Sequence, residues 1–231
     1  MMLQVQDIHT YYGTSHIIQG LSLDLNVNEV VCLIGRNGAG KTTTLRSIMG
    51  LTPTREGHVR FKNEEITGQT PYAIARKGIG YVPEDRRIFA DLTVKDNLEI
   101  ARRGKGDQGW TIPKIYEFFP KLKELEDHLG SEMSGGEQQM LAIARSLMGN
   151  PELILIDEPS QGLAPIIVES MVDLLKRLKE KISILLVEQN VILALDVSDR
   201  GYVIEKGMIL YQGSMEDLKN NKEIEEKYLA V

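Results

Sequence analysis

The segment Gly35-Arg36-Asn37-Gly38-Ala39-Gly40-Lys41-Thr42 constrains this chain more than any other. It follows the apolar run 30–34 and opens onto a helix-forming run that begins with Thr43. A strand, a glycine-rich turn and a helix in that order make a phosphate cradle. The glycines let backbone N–H groups point inward, and the helix N-terminus adds partial positive charge. Arg36, Asn37, Gly38, Ala39, Gly40 and Thr43 are the candidate backbone of that cradle. Lys41 is spaced to reach the β- and γ-phosphates of a nucleoside triphosphate, and Thr42 to place its hydroxyl in the octahedral shell of a Mg²⁺ that bridges them. A glycine-rich turn without function would match the four fixed positions in only about one chain in a hundred.

A phosphate loop of this kind needs a parallel sheet behind it. Residues 30–34, 79–82, 153–156 and 182–187 are short apolar runs, continuous rather than alternating, as expected of strands covered by helices on both faces. Residues 3–8, 21–25 and 57–61 alternate or carry turn residues, which predicts a small antiparallel layer beside that sheet. Between 93 and 149 the spacing becomes helical. Thr93-Val94-Lys95-Asp96 caps one helix, 112–119 is amphipathic behind Pro113, and 136–148 forms another. The stretch 102–109 reads as a surface loop, and Trp110 after it as packing on the helical segment. The expected fold is therefore α/β, a P-loop (RecA-like) parallel sheet with a small antiparallel β layer and an inserted helical subdomain. A single domain spans 1–231, with 1–84 and 150–231 forming the core and 85–149 the insertion.

A nucleoside triphosphatase also needs carboxylates on a neighbouring strand, and Leu153-Ile154-Leu155-Ile156-Asp157-Glu158 has that form. Asp157 ends the strand where ligands sit in open α/β sheets and is the candidate for the Mg²⁺ shell. Glu158 follows, with Pro159 expected to turn the backbone so that its carboxylate can orient or deprotonate an attacking water. Between Lys41 and Asp157 lie 115 residues, more than one crossover needs, and they contain Met133-Ser134-Gly135-Gly136-Glu137-Gln138-Gln139. Ser134 and Glu137 form a capping box, and the two glycines bare a helix N-terminus as a second anion site.

Composition narrows the function classes. With 33 acidic and 27 basic residues the formal charge is −6, which offers no uniform basic field for gripping nucleic acid. The longest apolar run, 30–35, has six residues, far short of the roughly 20 a spanning helix needs. The N-terminal residues lack the pattern of a secretory signal, so a cytosolic location is expected. Cys32, the single cysteine, reads as a small buried hydrophobe, and the four histidines are scattered without metal-ligand spacing. Val168, Met171, Val172, Leu174, Leu175 and Leu178 recur at helical spacing after Pro165 and predict a core-facing stripe.

A P-loop, then Ser-Gly-Gly-Glu-Gln, then the carboxylate strand, in this order and spacing, resembles the nucleotide-binding domain of ABC ATPases from about Leu3 to Leu229. The resemblance implies that ATP binds between two such domains. Ser134, Gly135 and Gly136 of one would then touch the γ-phosphate held by the P-loop of the other, with Glu137 beside them in the nucleotide-binding set, and Tyr12 would stack on adenine. Three positions depart from the usual family pattern. Glu84 stands where most members carry a Mg²⁺-sensing glutamine, Ala164 where the loop after the carboxylate strand usually ends in Asp, and Gln189 where a switch histidine usually meets the γ-phosphate. The amide of Gln189 can donate the same hydrogen bond but carries no positive charge.

Val-Pro-Glu, Arg-Ile-Phe, Glu-Gln-Gln-Met-Leu-Ala-Ile, Gly-Leu-Ala-Pro and Val-Glu-Gln-Asn together are similar to the LivF-type ATPase subunits of branched-chain amino-acid importers. That likeness implies ATP and Mg²⁺ as cofactors, a second ATPase subunit (identical or related), transmembrane permease subunits and, indirectly, a periplasmic or extracellular substrate-binding protein. It places the chain peripherally on the cytoplasmic face of the membrane, with residues 84–103 as the docking surface around Ile88 and Phe89. Alternatives are an importer of urea or short amides, a nucleotide sensor that hydrolyses weakly, and an ABC ATPase acting on nucleic acid, which the charge balance disfavours.

Overall fold

The computed structural model describes residues 1–104 and 109–220. Two sheets stand behind the phosphate loop. The smaller is antiparallel, in the order β2 (Ser15–Leu25), β1 (Leu3–Tyr12), β4 (Thr54–Phe61) and β5 (Glu64–Glu65). Its inward residues, among them Leu3, Val5, Ile8, Leu21, Leu23, Val59 and Phe61, are buried. The three segments expected in an antiparallel layer lie within β1, β2 and β4, each of which extends further than its apolar alternation showed.

The larger sheet has the order β10-β9-β3-β8-β7-β6, with β3 (Val30–Ile34), β6 (Ile79–Val82), β7 (Leu153–Asp157), β8 (Ser183–Glu188), β9 (Arg200–Glu205) and β10 (Met208–Ser214). All pairings but the β9–β10 edge are parallel. Alternate residues of each inner strand enter two different cores. Val30, Cys32 and Ile34 join one with Ile154, Ile156, Ile184 and Leu186, whereas Val31 and Leu33 join the other with Leu153, Leu155, Leu185 and Val187. Burial on both faces is why these strands read as unbroken apolar runs. β9 escaped the sequence reading because Gly201 and the flanking Arg200 and Glu205 interrupt its apolar character. Its Tyr202 is buried, and the phenol donates to Asp24 Oδ1 at 3.0 Å, bridging to the antiparallel layer.

Helices cover both faces. α1 (Lys41–Ile48) follows the phosphate loop, and α2 (Pro71–Lys77), which periodicity did not reveal, starts at Thr70, whose hydroxyl accepts from Ala73 N. The region after β6 carries α3 (Val94–Ala101), α4 (Ile112–Phe118), α5 (Pro120–Glu124), a 3-10 turn at Gly130–Glu132 and α6 (Gly135–Met148). Thr93 caps α3 through Asp96 N, as its sequence suggests. Trp110 packs edge-on against Phe118, with ring centroids 5.0 Å apart. Of the expected loop 102–109, residues 105–108 lie outside the described residues, as does the resemblance beyond 220. α7 (Pro165–Lys179) buries Met171, Leu174, Leu175 and Leu178, and α8 (Val191–Val197) and α9 (Met215–Asn220) complete the chain as described. No described helix is long and apolar enough to cross a membrane.

Candidate nucleotide site

β3 is buried throughout between β8 and β9, so its C-terminal end is held rigidly and delivers Gly35 at one fixed place. A Cβ on Gly35 would stand 2.5 Å from Ile204 O on β9, so only glycine lets the loop leave the sheet here. The loop closes through Ala39 N donating to Arg36 O at 3.1 Å and Gly207 N donating to Ala39 O at 2.8 Å. Gly40, in the left-handed region, is the N-cap of α1 and supplies no side chain, so the first N–H groups of α1 have no side-chain cap and no acidic residue in the first turn. That leaves the helix N-terminus available to an anion. Asn37 and Gly38 are exposed at the rim, whereas Ala39, Gly40, Lys41 and Thr43 are buried.

The Lys41 ammonium is 3% exposed and turned back into the loop, donating to Gly35 O at 2.7 Å and Arg36 O at 3.1 Å. Its third contact is Glu158 Oε1 at 2.9 Å. Three acceptors match the three protons of an ammonium, so the cation is fully used before any phosphate arrives. Glu158 itself is 7% exposed and sits at φ 43. The turn after β7 is therefore made by Glu158, one residue earlier than the expected turn at Pro159. Glu158 N donates to Val187 O at 2.9 Å, which ties this left-handed residue to the end of β8 and aims its carboxylate at the P-loop.

Asp157 is fully buried at the end of β7. Thr42 Oγ1 donates to its Oδ1 at 3.0 Å and Tyr81 Oη to its Oδ2 at 3.2 Å. Burial pushes its carboxyl up to about 6. The two hydrogen bonds pull against that shift, and the charges of Glu158 and the exposed Glu84 add to it. Both hydrogen-bond partners are neutral, which leaves the buried negative charge uncompensated locally. A hydroxyl and a carboxylate oxygen converging beside a phosphate loop are the hard donors a Mg²⁺ takes, so the residues present fit that ion. Tyr81 was not recognised from sequence. Its position two residues before Pro83-Glu84, in a strand beside the carboxylate strand, was the available signal.

The remaining candidates lie at the edges of the site or away from it. Tyr12 ends β1 with its ring 45% exposed and its Oη 3.5 Å from Thr52 Oγ1. Beside it Tyr11 stacks on His16 at 4.1 Å with the Arg55 guanidinium 4.2 Å from its ring centre, an arrangement sequence reasoning missed because it joins three strands, β1, β2 and β4. Gln189 is exposed just after β8. Ser134, Gly135, Gly136 and Glu137 begin α6, which packs against α3, α4, α5 and β6. Glu137 accepts from Ser134 N at 2.8 Å and from the Ser134 hydroxyl at 2.7 Å, which holds its carboxyl below the usual range. Gly135 faces the Arg86 guanidinium, and a Cβ on Gly136 would stand 2.7 Å from Ile167 Cγ2. The bare backbone at Gly136 thus also lets α6 approach α7. These four residues meet one another, Arg86 and α7, and the structure of the single chain does not bring them to Lys41.

A family model described as "ABC transporter" matches residues 18–161. The chain is 42% identical over 232 residues to the high-affinity branched-chain amino acid transport ATP-binding protein BraG of Pseudomonas aeruginosa, covering 99% of this chain and 100% of that one. It is 33% identical over 234 residues to a probable branched-chain amino acid transport ATP-binding protein LivF of Archaeoglobus fulgidus, covering 100% and 99%. It is also 35% identical over 241 residues to the lipopolysaccharide export system ATP-binding protein LptB of Haemophilus influenzae, covering 99% and 97%. Among solved structures, the ADP conformation of MJ1267, an ATP-binding cassette of an ABC transporter, superimposes with a TM-score of 0.85 at 30% identity over 100% of this chain and 99% of that one.

Proposed function

This chain belongs to the ABC transporter family as one of its ATP-binding, ATP-hydrolysing subunits, and from that premise we propose that it energises import of branched-chain amino acids. The observation that carries the substrate class is the likeness to BraG, which runs the full length of both chains. In this reading the chain lies on the cytoplasmic face of the membrane. It pairs with a second ATPase subunit, identical or related, and drives permease subunits supplied by a substrate-binding protein. The amino acid itself never touches this chain.

The chemistry follows from the side chains. Backbone N–H groups of the loop and the α1 N-terminus receive the phosphates, and Lys41 turns from Gly35 O, Arg36 O and Glu158 toward the β- and γ-oxygens. As Lys41 commits to phosphate its hold on Glu158 weakens, and the freed carboxylate takes a proton from the attacking water. Thr42 and Asp157, with Glu84 at the rim, would hold Mg²⁺, which when bound would neutralise charge on the phosphates. Tyr12 stacks on the adenine, and Gln189 donates its amide to the γ-phosphate. The Ser134–Glu137 turn of the second subunit closes the site from the other side.

Coupling to the membrane is assigned to a groove of about 530 Å³ between the larger sheet and the helical region, lined in part by Tyr72, Tyr81, Arg86, Arg87, Arg103 and Arg145. Arg145 Nε and Ser146 Oγ are buried there without a hydrogen-bond partner among the described residues, which suits a surface completed by another chain. The proposal is tested by deleting the gene in its host and measuring uptake of labelled leucine, isoleucine and valine. Loss of that uptake, restored by the wild-type chain and not by Lys41→Ala, is expected. Normal amino-acid uptake with loss of urea or short-amide uptake, or with a lipid-export defect, would overturn the substrate class.

A further inference from the structure

Glu188 is a fully buried carboxylate for which the hydrolysis scheme has no use. It ends β8 with 1% of its surface exposed. Its Oε1 accepts from Ser160 N at 3.0 Å, and its Oε2 accepts from Gln189 N and Asn190 N, each at 3.0 Å. Among the described residues no cation pairs with it. Burial raises its carboxyl above the usual range, the backbone hydrogen bonds pull it back, and Glu158 nearby pushes it up again. A buried charge without a counterion is expensive, and an apolar residue would close the end of β8 at less expense.

What the carboxylate supplies is two oxygens directed at two different loops. β7 and β8 are paired in parallel, Asp157 opposite Val187, so the loops that follow them leave the sheet side by side. One carries Glu158 and continues through Ser160 to Ala164, and the other carries Gln189 and Asn190, whose side chain caps α8. We propose that Glu188 is a positioning residue that ties the start of the 160–164 loop to Gln189 and so holds Gln189 where it meets the γ-phosphate. Acting through three main-chain donors, it fixes both loops without itself touching nucleotide. The idea rests on the reading of Gln189 given above.

A double-mutant cycle tests it. Glu188→Gln keeps size but sets an NH₂ against at least one backbone N–H, so kcat for ATP hydrolysis should fall by about tenfold or more, the loss expected for a charged hydrogen bond. The KM for ATP and the calorimetric affinity for ATP should stay within about twofold. In a Gln189→Ala background the same change should lower kcat no further, because its effect passes through Gln189. Glu188→Asp, which keeps the charge, serves if the Gln variant does not fold, with the same absence of additivity. Losses that multiply, with Gln189→Ala itself slowing turnover, would sink the link while leaving the Gln189 reading intact. Unchanged turnover in Gln189→Ala would sink that reading and the link with it, and a kcat loss matched by an equal loss of ATP affinity would reduce Glu188 to a structural role.

Discussion

The Lys41–Glu158 pair binds the two ends of the candidate site to each other in the free chain, and it makes the cation hard to remove. Lys41→Ala deletes the charge assigned to the β- and γ-phosphates and leaves the buried Glu158 without its counterion. ATP affinity measured by calorimetry should collapse, and the melting temperature of the empty protein should fall, because breaking a buried pair by removing one partner costs about 3–5 kcal/mol. Asp157 predicts the opposite sign. Its carboxyl is raised from 3.8 to about 6, so the folded chain holds a proton that the unfolded chain has released. Stability from this group is therefore present below the unfolded value and lost as pH rises through about 6. Asp157→Asn removes that loss. The nucleotide-free variant should be more stable at pH 7 by up to about 3 kcal/mol, with a flatter pH profile between 4 and 7 in denaturant titrations. A variant no more stable than wild type would show that the burial strain on Asp157 is relieved in another way. At this scale the sequence was informative where chemistry is encoded by a motif. Lys41, Thr42, Asp157 and Glu158 were named from spacing alone, and their side chains do meet. Tyr81 and Glu188 were not: the place of Tyr81 just before Pro83-Glu84 is a weak signal, and a carboxylate ending a strand carries none until the neighbouring loop is placed beside it.

Among the elements, the segment between β6 and α3 has the most to explain. Asn97, buried on α3, accepts from Phe89 N at 2.9 Å and donates to Phe89 O, Leu92 O and Thr93 O. One amide thus fixes the path of the loop while Phe89 itself stays 44% exposed with the Arg145 guanidinium 4.4 Å over its ring. Asn97→Ala should lower unfolding free energy by about 1–3 kcal/mol, since the backbone groups it satisfies are left unpaired. Phe89→Ser should do something different. With the ring already half exposed, the isolated subunit keeps its fold and basal ATPase activity, while transport by the assembled complex falls if the ring meets a permease helix. Normal transport with normal stability would remove Phe89 from the docking surface. The strands buried on both faces and the capped helices were legible because one signal, unbroken apolarity or a capping residue, sufficed for each. β9 and α2 were not, because Gly201 breaks one and the other is only seven residues long.

In the whole molecule, the Ser134–Glu137 turn and the P-loop belong to different parts of one chain and satisfy themselves separately, which is the arrangement expected if each completes its site on a second copy or a related subunit. ATP should therefore convert the chain from monomer to dimer in sedimentation, and Ser134→Arg, which puts bulk and charge on the α6 N-terminus, should block that conversion without changing nucleotide affinity of the monomer. Dimerisation by the variant at the wild-type ATP concentration would count against a shared site. The central claim, that this site hydrolyses ATP with Glu158 as the base, is tested most directly by the rate of phosphate release from purified wild-type and Glu158→Gln protein at saturating Mg·ATP. Glu158→Gln is expected to slow release by about 10² to 10⁴, the contribution of a positioned general base, while still binding ATP. Equal rates for the two proteins would contradict it.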